Sequence, residues 1–164
     1  MPQIVNASLE DLITIQEIAE KTWWPAYSEI LSGDQIRYML DTIYDQESLK
    51  KVFTDGSQEF ILLKNVAGYQ GFASFGRRKE DLTVFKLHKL YVLPGNQGNG
   101  YGLALIEEIK KRLANQSIRI LDLNVNRYNK AKAFYQKVGF RIIREEDISI
   151  GPYWMNDYVM RLEF

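Results

Sequence analysis

The chain has no cysteine, which excludes disulfides, thiolate zinc sites and cysteine nucleophiles together. It has one histidine, His88, so two-histidine metal motifs cannot form and any serine–histidine–carboxylate triad would need that residue. Excess charge is missing too. Lys plus Arg and Asp plus Glu each number 21, for a formal net charge of zero. Nucleic-acid-binding domains carry a basic excess or a basic block, and neither occurs here. No apolar run approaches the roughly 20 residues that span a bilayer. The first residues, MPQIVNASLEDL, turn acidic where a secretory signal would be apolar. These absences point to a cytoplasmic protein with no membrane and no nucleic-acid partner. With 164 residues, 46% hydrophobic and 26% charged, residues 1–164 are expected to form a single domain with one core.

No linker, repeat or low-complexity stretch divides the sequence. Residues 3–7 read as a short strand. Ser8 and Asp11 form a capping-box pattern that opens a helix, with Leu12, Ile15, Ala19 and Trp23 on its buried stripe. Pro25 is expected to interrupt that helix. Asp34 is the expected N-cap of a second helix with Ile36, Leu40 and Ile43 inward, and residues 46–54 add a further turn or two. The period then changes. Residues 59–65, 68–76 and 82–93 read as consecutive antiparallel strands, with turns at Asn65–Gly68 and in the charged stretch 77–81. A glycine-rich loop leads into a helix with Leu103, Ile106, Ile109 and Leu113 on one side. A buried-type strand at 118–125, a helix at about 128–138 ended by Gly139, and strands at 140–146 and 157–164 follow. The order predicts an α/β (α+β) fold, a mixed and mostly antiparallel sheet flanked by helices. Its one β-α-β unit surrounds the glycine loop.

That loop, within LHKLYVLPGNQGNGYGLALIEEI (87–109), has glycines at 95, 98, 100 and 102 directly before a helix. Glycines let successive N–H groups turn toward one point, and the helix N-terminus adds partial positive charge, so the pattern fits a phosphate or pyrophosphate. No Gly-Lys-Ser/Thr follows, which excludes a P-loop. A dinucleotide fingerprint is tested by Gly98-x-Gly100 or Gly100-x-Gly102 with Asp122 downstream. Leu103 or Leu105 stands where its third glycine belongs.

The run Gln97-Gly98-Asn99-Gly100-Tyr101-Gly102 resembles the Q/R-x-x-G-x-G/A signature of the GNAT N-acetyltransferases, and NVNRYNKAKAFYQKVGF (124–140) resembles that family's later motif. The stretches TWWPAYSEIL and YMLDTIY are loosely similar to the spermidine-type or small-amine acetyltransferases. The resemblance implies acetyl-CoA as cosubstrate, no metal, and a small-molecule or peptide amine as acceptor, attacked directly in a ternary complex. A homodimer is a further implication. It implies that the backbone of Leu90, Tyr91 and Val92 holds the pantetheine arm, with an N–H near Val92 stabilising charge on the thioester oxygen. The amides of Gln97, Gly98, Asn99, Gly100, Tyr101, Gly102 and Leu103 would wrap the pyrophosphate. Tyr135 matches the tyrosine that protonates the departing thiolate, since a phenol with a reference pKa of about 10 keeps its proton at neutral pH.

His88 stands where several relatives carry a glutamate. On an unbulged strand it shares a face with Leu90 and Val92, and a neutral imidazole there can accept the amine's proton. The family's asparagine falls on Tyr128 in this chain, so Asn129, one position late, is the candidate contact to the pantetheine; capping the next helix is its other use. Trp24 and Tyr27, beside Trp23 and Pro25, are the candidate acceptor-binding residues. Tyr153 and Trp154 are placed in a loop before the last strand. Two other readings remain open at this point: a non-catalytic GNAT-like module that binds CoA or a metabolite, and a nucleotide-binding oxidoreductase.

Overall fold

A computed structural model describes residues 2–96 and 98–164. Strand β1 (Gln3–Asn6) leads through a short 3-10 turn into α1 (Leu12–Tyr27), α2 (Gly33–Ile43) and α3 (Gln46–Thr54). Strands β2 (Glu59–Asn65), β3 (Gly68–Arg77) and β4 (Val84–Val92) follow, then α4 (Tyr101–Ala114), β5 (Ile120–Asn126), α5 (Ala131–Val138), β6 (Arg141–Ile150) and β7 (Tyr153–Glu163). One seven-stranded sheet has the order β1-β2-β3-β4-β5-β7-β6. Among the described residues only β4 and β5 pair in parallel; the remaining pairings are antiparallel. This is the expected mixed α/β sandwich.

Both faces of the sheet are covered. On one face, Leu105, Ile106, Ile109 and Leu113 of α4 are fully buried against Ile61, Phe75, Leu87 and Leu123. Truncating any of these four to Ala removes well-packed core volume, at a cost of about 2–5 kcal/mol. On the other face, α1, α2 and α3 pack Ile15, Ile36 and Leu49 over Leu62 and Phe72. Asp122 is completely buried inside the sheet. It accepts from Arg161 at 2.7 and 3.0 Å and from Arg78 at 3.0 Å. A carboxylate so committed is structural, and it has no free oxygen edge for a ribose.

Several local expectations are corrected. Helix α1 runs past Pro25 to Tyr27, because in the last turn a missing N–H forfeits a single hydrogen bond. The N-cap of α2 is Ser32, whose Oγ accepts from Gln35 N at 3.1 Å; Asp34 lies in the first turn. Tyr153 and Trp154 are within β7, because the β6–β7 hairpin is longer than its apolar pattern suggested and turns at Gly151. That glycine has φ +57°, and a Cβ there would collide with the Tyr38 hydroxyl of α2. Gln35 of α2 also donates to the Trp154 carbonyl at 2.8 Å. Helix α2 is thereby pinned against the hairpin.

Candidate active site

Strands β4 and β5 pair only from Val84–Leu87 to Ile120–Leu123. Beyond that point β4 continues along β3 and β5 along β7, so the two part and their facing backbone edges stay open. The open β4 edge carries Leu90, Tyr91 and Val92. An extended chain can add there as a strand does, taking main-chain hydrogen bonds from an otherwise unpaired edge. At the end of the opening lies the glycine loop. Gly95, Gly98 and Gly100 have φ of +90°, +89° and +77°, and no other group crowds the space a Cβ would take at any of them. Gly100 is the N-cap of α4 and supplies no side-chain cap, so the first N–H groups of a 14-residue helix face outward as an anion site. The residues around this opening thus suit a pyrophosphate followed by a linear arm. Gln97, singled out from the sequence, lies outside the described residues.

Within the loop, side chains serve mainly as anchors. Asn96 Nδ2 donates to Gln70 Oε1 at 2.6 Å, and Asn65 Nδ2 donates to the Tyr101 hydroxyl at 3.0 Å. Tyr101 is thereby tied back toward the β2–β3 hairpin, leaving its amide for a ligand. Gly102 packs close to Phe134, whose ring would lie 3.2 Å from any Cβ at that position. Leu103 is exposed rather than on the buried stripe, and Leu105 takes the place expected for it.

The other side of the opening is a cleft of about 210 Å³. Trp23 and Tyr27 of α1 line it with Tyr44 from the end of α2, while β4 contributes Lys86, His88, Lys89 and Tyr91. Asn124 and Asn126 come from β5, and Ile148, Ile150, Met155 and Asp157 from the β6–β7 hairpin. The rings of Trp23 and Tyr27 lie 4.4 Å apart, tilted by 36°, and Trp23 also meets Tyr91 at 6.2 Å. Trp24 is not among the lining residues: one step along the helix turns it about 100° away, toward Gly33 and partial exposure.

The placement of His88 corrects the alternation argument. Ser74 pairs with Lys89 and Phe75 with Leu87, leaving His88 as the extra residue of a β-bulge. Leu90 and Val92 pack toward α4, whereas His88 joins Lys86, Lys89 and Tyr91 in the cleft. Its imidazole is held below the ordinary histidine range, first by burial and then by Lys86, Lys89 and Arg78. His88 is exposed toward cleft solvent, which moderates the shift, but all four causes have the same sign. The ring is therefore neutral at physiological pH.

Tyr135 sits at the rear of the opening, packed edge-on against Phe134 at 5.3 Å and Phe140 at 5.7 Å. Burial, followed by the field of Tyr27, raises its pKa, so the phenol is a proton-bearing group. Its hydroxyl is not hydrogen-bonded within the described residues. Tyr27 is raised by burial, offset in part by Tyr91 and raised further by Asp157, which puts these groups in one electrostatic neighbourhood. Asn129 uses its Oδ1 to accept from Ala131 N at 2.9 Å, so that oxygen shapes the start of α5. Asn129 also lies near Tyr27 and offsets a small part of the rise that burial causes there.

Three cleft groups were not singled out in the sequence. Asp157 is 6% exposed, and burial raises its carboxyl. Asn124 donates to its Oδ2 at 3.2 Å, while Asp157 Oδ1 and Asn124 Oδ1 are buried without a partner. Lys89 is 7% exposed and donates to Gln58 Oε1 at 2.7 Å. Lys86 makes no ion pair or side-chain hydrogen bond among the described residues. Three strands bring these residues together, so only the K86-x-x-K89 spacing was visible locally.

An open strand edge, a helix-capped anion loop and a polar cleft meeting at one point define an enzyme that joins a phosphorylated carrier to a second substrate. Residues 28–161 match the family model described as the acetyltransferase (GNAT) domain, and the chain belongs to that family. It is an acyl-CoA-dependent N-acetyltransferase. An uncharacterized N-acetyltransferase of Mycobacterium tuberculosis is 28% identical over 153 residues, covering 93% of this chain and 97% of that protein. The spermidine N(1)-acetyltransferase of Thermoplasma acidophilum is 28% identical over 142 residues, 85% of this chain and 88% of the relative. The crystal structure of the PaiA N-acetyltransferase of T. acidophilum in complex with coenzyme A superposes with a TM-score of 0.83 at 25% identity, covering 100% and 99% of the two chains. Among the described residues no helix is long and apolar enough to cross a membrane, and no cluster of His, Cys, Asp or Glu is arranged to hold a metal ion.

Proposed function

We propose that the protein transfers the acetyl group of acetyl-CoA to a primary amine of a small molecule or peptide, by direct attack with both substrates bound. Acetyl-CoA supplies an activated acyl carbon; in the overall change a C–N bond replaces a C–S bond and the amine's proton is lost. The observation that carries this reading is the parting of β4 from β5, which joins the anion loop to the polar cleft through one gap.

The residues divide the work. The amides of Gly98 to Leu103 bind the pyrophosphate, and the Leu90–Val92 edge holds the arm. An N–H near Val92, fixed in the sheet, stabilises charge that develops on the acyl oxygen. Tyr135 keeps its proton until a thiolate needs it. Asp157, raised toward a more useful basicity and carrying a free oxygen, takes the proton that the amine must lose. His88, neutral and lining the same cleft, accepts a hydrogen bond from the amine and orients it, as Tyr27 does from α1; Asn129, near Tyr27, contacts the arm. The same reading puts the reaction in the cytoplasm.

A thermal melt with and without acetyl-CoA tests the cosubstrate, with NADH as the control. A ligand at 100 times its dissociation constant stabilises the fold by about 2.7 kcal/mol, a clear upward shift. The expected result is a shift with acetyl-CoA alone. No shift at millimolar acetyl-CoA overturns the assignment of the loop.

A further inference from the structure

The side of β4 that faces the acceptor is basic. Without a bulge, Lys86 and His88 would share one face of the strand and Lys89 would point to the other. The extra residue at His88 instead brings Lys86, His88 and Lys89 into the same cleft. Among the described residues, Asp157 is the one carboxylate that lines it. Glu146, beyond the lining, accepts from Asn124 at 3.2 Å and sits beside Arg144.

Lys89 is the unusual member. A buried lysine normally has a carboxylate partner, because an ammonium out of water is costly unless it is paired. Here its one hydrogen-bond acceptor is the amide oxygen of Gln58, which Ser74 also uses at 2.7 Å. Tyr44 and Phe60 give the ammonium ring faces at 5.6 and 5.7 Å, a weaker form of compensation. Lys86 beside it has no anionic partner within 4 Å among the described residues. Two cations thus line the cleft with no carboxylate in contact with either, while Asp157 and Glu146 act on Lys86 through space. The orphaned acceptors, Asp157 Oδ1 and Asn124 Oδ1, are separate groups on β7 and β5. A polyamine would set its second charge against the lysines. An amine that carries a carboxylate fits both sets, its anion meeting the lysines and its nitrogen meeting the oxygens. Ile43, Ile148, Ile150 and Met155 make the remaining wall apolar.

We propose that the acceptor is an amino carboxylate with an apolar body, such as a hydrophobic amino acid, whose carboxylate is held by Lys86 and Lys89. This rests on the acetyltransferase reading and narrows its substrate. Lys89 also has a packing role between Tyr44 and Phe60, so the test must separate recognition of an anion from support of the fold.

Matched acceptors do so. L-phenylalanine and phenethylamine differ only in the carboxylate, as do L-leucine and 3-methylbutylamine; spermidine is the polycationic comparison. Thiol release from acetyl-CoA gives kcat/KM for each. The expected result is a preference of tenfold or more for the amino acid in each pair, with spermidine poorest. The intrinsic reactivities of paired amines are the same for every variant, so the change in their ratio between wild type and Lys89→Met or Lys86→Met reads the lysines alone. Both substitutions should move the ratio toward one, and a purely structural lysine would lower both members equally. If Lys89→Met does not fold, Lys86→Met and the wild-type panel still decide. Equal or better use of phenethylamine or spermidine overturns the proposal. If no amine releases thiol, the acceptor reading of the preceding section fails. The melting shift caused by L-phenylalanine against phenethylamine, with CoA present, then decides the present proposal, and an equal shift overturns it.

Discussion

The two halves of the proposed active site are built from different materials. The cosubstrate side, from Leu90 through the glycine loop to the first turn of α4, is one continuous segment that presents mainly backbone. The acceptor side is a side-chain surface gathered from α1, α2, β4, β5, β6 and β7. A backbone site needs the right torsions and little else, so its residues can change while its ligand does not. A side-chain cleft depends on the chemical identity of each group, and a few residues can redirect it to another acceptor. One fold can thereby hold a common carrier on one side and choose its partner on the other. Substitutions that separate the cosubstrate from the amine kinetically test that contrast.

The largest effect is expected at the boundary between the halves. Tyr135→Phe removes the proposed proton donor and leaves its packing against Phe134 and Phe140, so kcat should fall about 100-fold or more, the usual weight of a general acid. The KM for acetyl-CoA should stay within twofold, roughly the scale of a surface-level perturbation. A full-rate Phe variant in a thiol-release assay would remove Tyr135 from the chemistry.

Asp157→Asn comes next and lies wholly in the acceptor half. We expect kcat/KM for the amine to fall by about tenfold to 100-fold, with acetyl-CoA binding by thermal melt unchanged. The same variant has a stability signature. The carboxyl's pKa is raised in the folded protein, first by burial, so folding gains from its protonated form below the unfolded pKa and loses that gain as pH rises through the folded pKa. At pH 7 the wild type therefore holds a desolvated charge that the amide does not. Asp157→Asn should melt higher at neutral pH, with the gap closing as pH falls. A variant that melts lower at pH 7 would mean that the carboxylate is held by partners worth more than its desolvation.

Gly100→Ala probes the other half. At φ +77° a Cβ costs about 1–2 kcal/mol of backbone strain, and relief of that strain would turn the N-terminal amides of α4 away from their target. The KM for acetyl-CoA should rise about tenfold, the equivalent of 1.4 kcal/mol, and the KM for the amine should not change. Equal rises in both would show that the loop and the cleft are mechanically one unit.

How legible each half was follows from the same contrast. The glycine spacing and the Tyr135 helix lie in continuous stretches, and alternation gave the strands to within a few residues, because those signals are local. The acceptor half depends on events without a local signature. The bulge at His88 leaves no composition signal, yet it reverses the faces of the residues after it, which puts Lys89 in the cleft with His88 and turns Leu90 and Val92 to the other side. Asp157 reads as an ordinary polar position in DYVMRLEF, and its importance comes only from pairing β7 with β5 beside the gap. Trp23, not Trp24, reaches the cleft, and the Trp23–Tyr27 spacing of one helical turn was already available to say so.

His88 is the subtlest test, because its position argues for a role and its proton affinity limits that role. An imidazole among Lys86, Lys89 and Arg78 gains a proton only against three cations as well as burial, so it is a poor acceptor for the proton of an ammonium. As a neutral hydrogen-bond partner it can still orient the attacking nitrogen, a contribution of about 1 kcal/mol, or roughly fivefold in kcat/KM for the amine. His88→Gln keeps a hydrogen-bond acceptor and should lose about threefold or less on that scale. The decisive readout is the shape of the pH profile. With the wild-type ring neutral throughout, the two profiles should run parallel from pH 6 to 9, displaced but unbent. A wild-type limb near pH 6.5 that disappears in the Gln variant would make His88 the base and would reduce Asp157 to an anchor for Asn124. The lysines that flank the bulge make the parallel outcome the expected one, since the cations suited to an anionic acceptor add to burial in keeping His88 from titrating.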